Sequence, residues 1–415
     1  MAGTVVDILR ELIAIPSVNP RLASANDPST GEQRLTAWLL DFFKRAGWRA
    51  ATQPVHPGRA NVVALLPGGR GDTLLWESHQ DTVSAEGMSI DPFAATVRDG
   101  CVHGRGACDV KGSMAAMLTA LTRAAADPAQ GRPNILFACS INEECGFTGA
   151  RALADVWRTD GTTSGRPAVA VEAVGADGLS LEELRSLRPT AAIVAEPTDL
   201  NVVVAHRGVV RWQCTVHGRA AHSSRPEEGA NVIYAMARVV RAIESFHCVE
   251  LASRPADPLC GPPTACVTTI HGGTGANTVP DRAVIDVDRR LAPDEQPQAA
   301  YDELVAYLAT HADIGDCRLA HEAPWMQSDG LASGANRAWA EQLAALARST
   351  GVNAQLAGVP YGTNAASIAV AGIPTVVFGP GSIAQAHTAD EWIAVDQLDR
   401  AVEVLYRLAC GGTKA

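Results

Sequence analysis

No C-x-x-C pair occurs among the ten cysteines of this chain. Scattered cysteines of that kind fit reduced thiols in a cytoplasmic enzyme, most of them small core residues. Positive charge is in deficit, with 34 Lys and Arg against 45 Asp and Glu and a formal net charge of −11. That balance argues against nucleic acid or an anionic membrane as a general partner. No apolar run approaches the length of a membrane span. The opening residues, Met1 to Leu12, carry Asp7, Arg10 and Glu11 among their apolar positions. They read as an amphipathic helix rather than a secretory leader. Internal repeats and low-complexity tracts are absent. The run Gly104-Arg105-Gly106 with Lys111-Gly112 lacks the spacing of a phosphate-binding loop.

What is present is an ordinary globular balance, 47% hydrophobic and 19% charged over 415 residues. That length exceeds one ordinary core, so two domains are expected. Apolar periodicity predicts helices over 4–15 and 31–46 and strands over 61–66 and 73–76. Strand–helix alternation continues through 135–139 and 191–195, the mark of an α/β sheet covered on both faces. A loop is expected at Asp160–Gly165. After Val204 the rhythm changes to strand 208–216, helix 230–246, strands 265–271 and 282–290, helix 296–311 and strand 317–321. That βαββαβ order is the split pattern of a ferredoxin-like α+β domain. The α/β rhythm resumes with helix 334–350, strand 375–378 and helix 395–408. The predicted organisation is a catalytic α/β domain over 1–204 and 323–415, interrupted by an inserted domain at 205–322.

Chemistry-bearing residues gather at predicted strand ends. His79 and Asp81 close one strand, Glu143 and Glu144 another, and Asp109 sits in a Gly-rich turn before a helix. Two zinc ions held close together need a bridging carboxylate, further His or carboxylate ligands on each ion, and an uncoordinated base. His79, Asp109, Glu144, Glu196 and His387 are five candidate ligands, with Glu143 available as the base. Asp81, two residues beyond His79, is placed to hydrogen-bond that imidazole and fix its tautomer. Cobalt or manganese would also suit such N/O donors. Taken singly, each of these residues is more often a surface histidine, a solvated acid or a turn former.

Seven motifs occur in order along the chain: Ser78-His79-Gln80-Asp81-Thr82-Val83, Gly104 to Gly112, Asn142-Glu143-Glu144, Glu196-Pro197-Thr198, Gly218 to Pro226, Gly275 to Asp281 and Ala386-His387. In these the sequence resembles the di-zinc amidohydrolases and metallopeptidases that include acetylornithine deacetylase, succinyl-diaminopimelate desuccinylase, aminoacylase and glutamate carboxypeptidase. The resemblance implies that His79 and Glu196 hold one zinc, Glu144 and His387 the other, and that Asp109 bridges them. Glu143 would take a proton from the metal-bound water and deliver it to the leaving amine. His222, in the inserted domain, would reach the partner subunit's active site, which implies a homodimer built through 205–322. Asn277 and Arg290 match positions that bind a substrate carboxylate.

Pro380-Gly381-Ser382 precedes His387 and reads as either pocket backbone, with Ser382 near substrate, or a plain turn. His206 reads as a hinge residue or a substrate contact. Relatives commonly carry Asp where this chain has Asn364, in Gly362-Thr363-Asn364-Ala365. Losing that charge near the pocket would bear on substrate choice, above all for a cationic amine. The leading expectation is a cytoplasmic, homodimeric deacylase of N-acyl amino acids, of the acetylornithine deacetylase type, with desuccinylation of an N-succinyl amino acid next. A dipeptidase or carboxypeptidase of the same chemistry is the alternative, and a non-catalytic binding protein on this fold the outside one.

Overall fold

The computed structural model describes residues 3–24, 27–127, 131–158 and 169–412. The loop expected at Asp160–Gly165 lies outside the described residues. The chain divides into two compact units, one of residues 1–204, 333–357 and 363–415, the other of residues 205–332 and 358–362.

The first unit is built on a nine-stranded mixed sheet. At its centre the strand Thr73–His79 lies parallel to Asn134–Ser140 on one side and to Ala191–Val194 on the other. Thr73–His79 and Ala191–Val194 are buried along their whole length, and Asn134–Ser140 at all but its first residue. Burial of both faces is why these segments read as continuous apolar runs instead of alternating ones. Thr375–Val377 extends the parallel set, while Arg59–Leu66 and Arg49–His56 continue it antiparallel. The strand Arg49–His56 escapes a sequence reading because Pro54 and its polar residues mask the pattern.

Helices cover both faces. Val5–Ile13 starts at a capping box in which Thr4 and Asp7 bond each other's main chain, closing orphan N–H groups. Gln33–Ala46 ends at Gly47, whose φ of 72° is the left-handed cap conformation that glycine adopts without penalty. Gly112–Ala126 is buried over most of its surface, and its alanines let it sit close against the carboxyl-terminal helix Val395–Ala409. All ten cysteines carry free thiols. Among the described residues no helix is long and apolar enough to cross a membrane.

The second unit has the expected order. Its sheet runs Thr264–Gly272, Arg282–Leu291, Gly208–His217, Arg318–His321, and the helices Val232–Ser245 and Pro297–His311 supply the α elements. Trp212, Val287, Ile243 and Leu304 belong to its separate apolar core. It extends beyond the expected boundary at 322, because Met326–Ser328 pairs with Val209–Arg211 and adds to the sheet.

Candidate metal centre

The carboxyl ends of the central parallel strands place the site, the usual location in open α/β sheets. His79 is the last residue of its strand. Glu143 and Glu144 follow Ser140, and Glu196 follows Val194. Asp109 arrives from a loop that opens the helix Gly112–Ala126, and His387 from the segment before the strand Trp392–Ala394.

These side chains converge. The His79 Nε2 lies 3.0 Å from Asp109 Oδ1 and 4.0 Å from Glu196 Oε1. His387 Nε2 lies 3.3 Å from Asp109 Oδ2 and 3.3 Å from Glu144 Oε1. Asp109 thus presents one oxygen toward each imidazole. Two sets have donor atoms close enough for one ion: His79, Asp109 and Glu144, and His79, Glu143 and Glu196.

The electrostatics of this cluster are those of a cation site. Burial first, then the neighbouring Glu196, pushes the Glu143 carboxyl well above the usual range. Glu196 is raised by burial and by Asp109, and Glu144 likewise. Asp109 is held low: burial works against it, but the hydrogen bonds from His387 and His79 outweigh burial. His387 is pushed up to about 10 by its bonds to Asp109 and Glu144. Four carboxylates packed this closely out of water need compensating positive charge, and N/O donors of this kind suit zinc-type divalent ions. The residues therefore fit a two-ion centre.

The surroundings correct two expectations. The His79 Nδ1 bonds the main-chain carbonyl of Asp81 at 2.8 Å, while the Asp81 carboxylate stands 3.7 Å away. That carboxylate instead accepts the N–H groups of Glu143 and Glu144 and the Asn19 amide, at 3.0, 3.2 and 2.7 Å. Asp81 therefore steadies the loop that carries Glu143, and its backbone steadies the imidazole. Asn364 is fully buried and donates to Glu77 Oε1 and Ser140 Oγ, both at 3.0 Å. With no exposed surface and both bonds made inside the fold, it is scaffold and not part of a pocket wall.

Ser382 turns its main-chain carbonyl toward the Cys108 thiol at 3.3 Å and bridges to Thr198. His206 is fully buried and stands two residues past the boundary between the two units. In the second unit, His222 is exposed, bonds Ser224 at 2.8 Å and pairs across to Thr278, while the Asn277 carbonyl accepts the Ser223 N–H. Arg290 in the same unit donates to Asp288 at 2.8 Å. Sequence reasoning missed Asn19, which bonds both Asp81 and Asn142, and Glu391, whose carboxylate is buried against the Asp109 loop. Asp390-Glu391 reads as a solvated acidic pair. Only its position four residues past His387 hints otherwise.

A model of Peptidase family M20/M25/M40 matches residues 75–410. An acetylornithine deacetylase from Proteus mirabilis is 30% identical over 413 residues, 98% of this chain and 96% of that protein. Among solved structures, a tripeptidase from Staphylococcus aureus superposes with a TM-score of 0.76 at 21% identity, covering 99% of this chain and 98% of that one. An M20 family metallo-carboxypeptidase from Sulfolobus solfataricus gives 0.75 at 16% identity, covering 98% and 99%. With the two-ion donor set on this sheet, the chain belongs to Peptidase family M20/M25/M40 and is a metal-dependent hydrolase.

Proposed function

We propose that the chain hydrolyses the peptide bond of short peptides beside a free carboxylate, as a dipeptidase or carboxypeptidase. The observation that carries this is Glu143, buried in one group with His79 and Glu196 and therefore within reach of whatever those ligands hold. The peptidase family and the tripeptidase and carboxypeptidase with this fold support the choice of bond. When bound, a pair of divalent cations supplies Lewis-acid polarisation of the amide carbonyl and acidifies water. In this reading His79 and Glu196 hold one cation, Glu144 and His387 the other, with Asp109 between them. Glu143 accepts the proton of the attacking water and passes it to the leaving nitrogen, a transfer supplying roughly 10²–10⁴-fold. Asn277 and Arg290 are assigned to the substrate carboxylate. Ser382 is assigned to the backbone near the substrate.

A second reading is deacylation of N-acyl amino acids, favoured by the acetylornithine deacetylase relative. The burial of Asn364 removes the objection that a missing charge disfavours a cationic amine. We further assign a homodimer formed through the second unit, where Ile233, Tyr234 and Ile270 are exposed apolar residues. A cytoplasmic location is part of the same proposal and rests on the free thiols.

The test is a hydrolysis panel on zinc-loaded protein, with dipeptides and tripeptides beside N-acetyl and N-succinyl amino acids, and Glu143→Ala in parallel. Peptide cleavage abolished by the substitution supports the main reading. Turnover of acyl amino acids alone replaces it with the second. Activity that survives Glu143→Ala overturns the mechanism.

A further inference from the structure

Glu391 has no exposed surface, yet it lies in the segment that carries the half-exposed His387. Its two oxygens are both filled. One accepts Arg105 Nη1 at 2.6 Å and the Gly106 N–H at 3.0 Å. The other accepts the N–H groups of Cys108 and Asp109 at 2.8 and 3.0 Å. Its own carbonyl accepts the Gly104 N–H at 3.0 Å, and the next residue, Trp392, pairs with His103. One buried carboxylate therefore gathers the main chain from Gly106 to Asp109 into a ring of donors. A buried charge is tolerated when this many donors and a cation face it, and it becomes costly when they are removed.

The chain path shows what the ring does. Gly106 has φ of 81°, and a Cβ there would meet Lys111 and Thr82 at 3.0 Å, so glycine suits the turn that brings the loop toward Glu391. The N–H that Glu391 holds belongs to Asp109, the residue whose oxygens reach both imidazoles. His387, four residues before Glu391, has φ of 62°, a left-handed backbone that a non-glycine residue adopts only where its surroundings impose it. His79, Glu144 and Glu196 are fixed by the central strands. His387 is not; its segment is joined to the Asp109 loop by this clamp, by the short strand pair beside it and by the Cys108–Ser382 contact.

We propose that Glu391 is a positioning residue that sets the separation between Asp109 and His387, and so governs the ion on the His387 side. The proposal rests on the assignment of Asp109, Glu144 and His387 as ligands. Glutamine at 391 keeps the length but presents an NH₂ to two of the four donors, so the loop relaxes and His387 drifts. The ion between His79 and Glu196 keeps its ligands.

The test is titration of the metal-free, full-length protein with Zn²⁺ and Co²⁺, read by calorimetry and by the Co²⁺ visible spectrum. In E391Q one ion is expected to bind as in the wild type. The other is expected to lose roughly 10–100-fold in affinity, the usual effect of removing a group that orients a ligand. Its Co²⁺ bands should shift, and E391D should recover part of the loss. A merely structural role would weaken both ions together, with no split between them. If E391Q does not fold, R105Q removes the cation from the ring and leaves the three N–H bonds; it should weaken the same single ion to a smaller degree. Equal, wild-type affinities for both ions in either variant overturn the proposal. Wild-type protein that takes up fewer than two ions would instead overturn the assignment of the centre.

Discussion

The Glu143 main-chain N–H donates to the Asp81 carboxylate at 3.0 Å, across 62 residues of sequence. The residue expected to orient the His79 ring thus holds the loop of the proposed base, and a main-chain carbonyl does the orienting. Asp81→Asn should therefore leave the His79 ligand in place. One oxygen is replaced by an NH₂ that opposes the loop's own donors. We expect kcat to fall about 10–100-fold with two ions still bound. Metal analysis beside steady-state kinetics checks this. Loss of an ion that accounts for the whole drop would return Asp81 to the imidazole.

Asn364→Asp tests the scaffold beneath the site. Glu77 is fully buried, accepts Ser140 Oγ at 2.5 Å, and is pushed up to about 7 by burial. A second carboxyl beside it would have to share a proton or repel. The substitution should cost roughly 3 kcal/mol in urea unfolding and leave the order of substrate preference unchanged. Adding Glu77→Gln should recover most of the loss. A changed substrate order without a stability change would put Asn364 back in the pocket.

His206 sets part of the acid limb of stability. Burial lowers it from 6.5 to about 4, its Nδ1 faces the Arg207 carbonyl at 3.0 Å, and its Nε2 has no partner. The folded ring stays neutral while the unfolded one takes a proton. The contribution is therefore present above pH 6.5 and lost as pH falls from there to about 4. The difference is roughly 3 kcal/mol. His206→Gln, compared with wild type by urea unfolding at pH 7 and pH 4.5, should show the shallower pH dependence. Parallel curves would exclude this role.

The assignment of His222 to a neighbouring subunit makes a mixing experiment decisive. His222→Ala and Glu143→Ala should each be nearly inactive. Co-refolded in equal amounts, they should regain about a quarter of wild-type activity, since half the dimers are hybrids with one intact site. No recovery in dimers shown to be hybrid would confine His222 to its own subunit or to structure.

The clustered donors His79, Glu143, Glu144 and Glu196 were legible because each stands at or just past the end of a largely apolar strand run. The second unit was legible from alternation and helix periodicity alone. Arg49–His56 was not, because Pro54 breaks the pattern in a strand that still pairs with Arg59–Leu66. Nor were the partners of Asp81, Asn364 and Glu391. Each is a polar residue whose burial depends on chain brought in from 60 to nearly 300 positions away. Local sequence carries no record of which donors will arrive.

His387 meets Glu144 across 243 residues, with the whole second unit between them in sequence. During synthesis His79, Asp109, Glu143, Glu144 and Glu196 all exist long before His387. A chain cut short before residue 387 would hold those five donors and lack the sixth. In the proposed assignment, metal content therefore reports whether the segment that carries His387 has been made and packed.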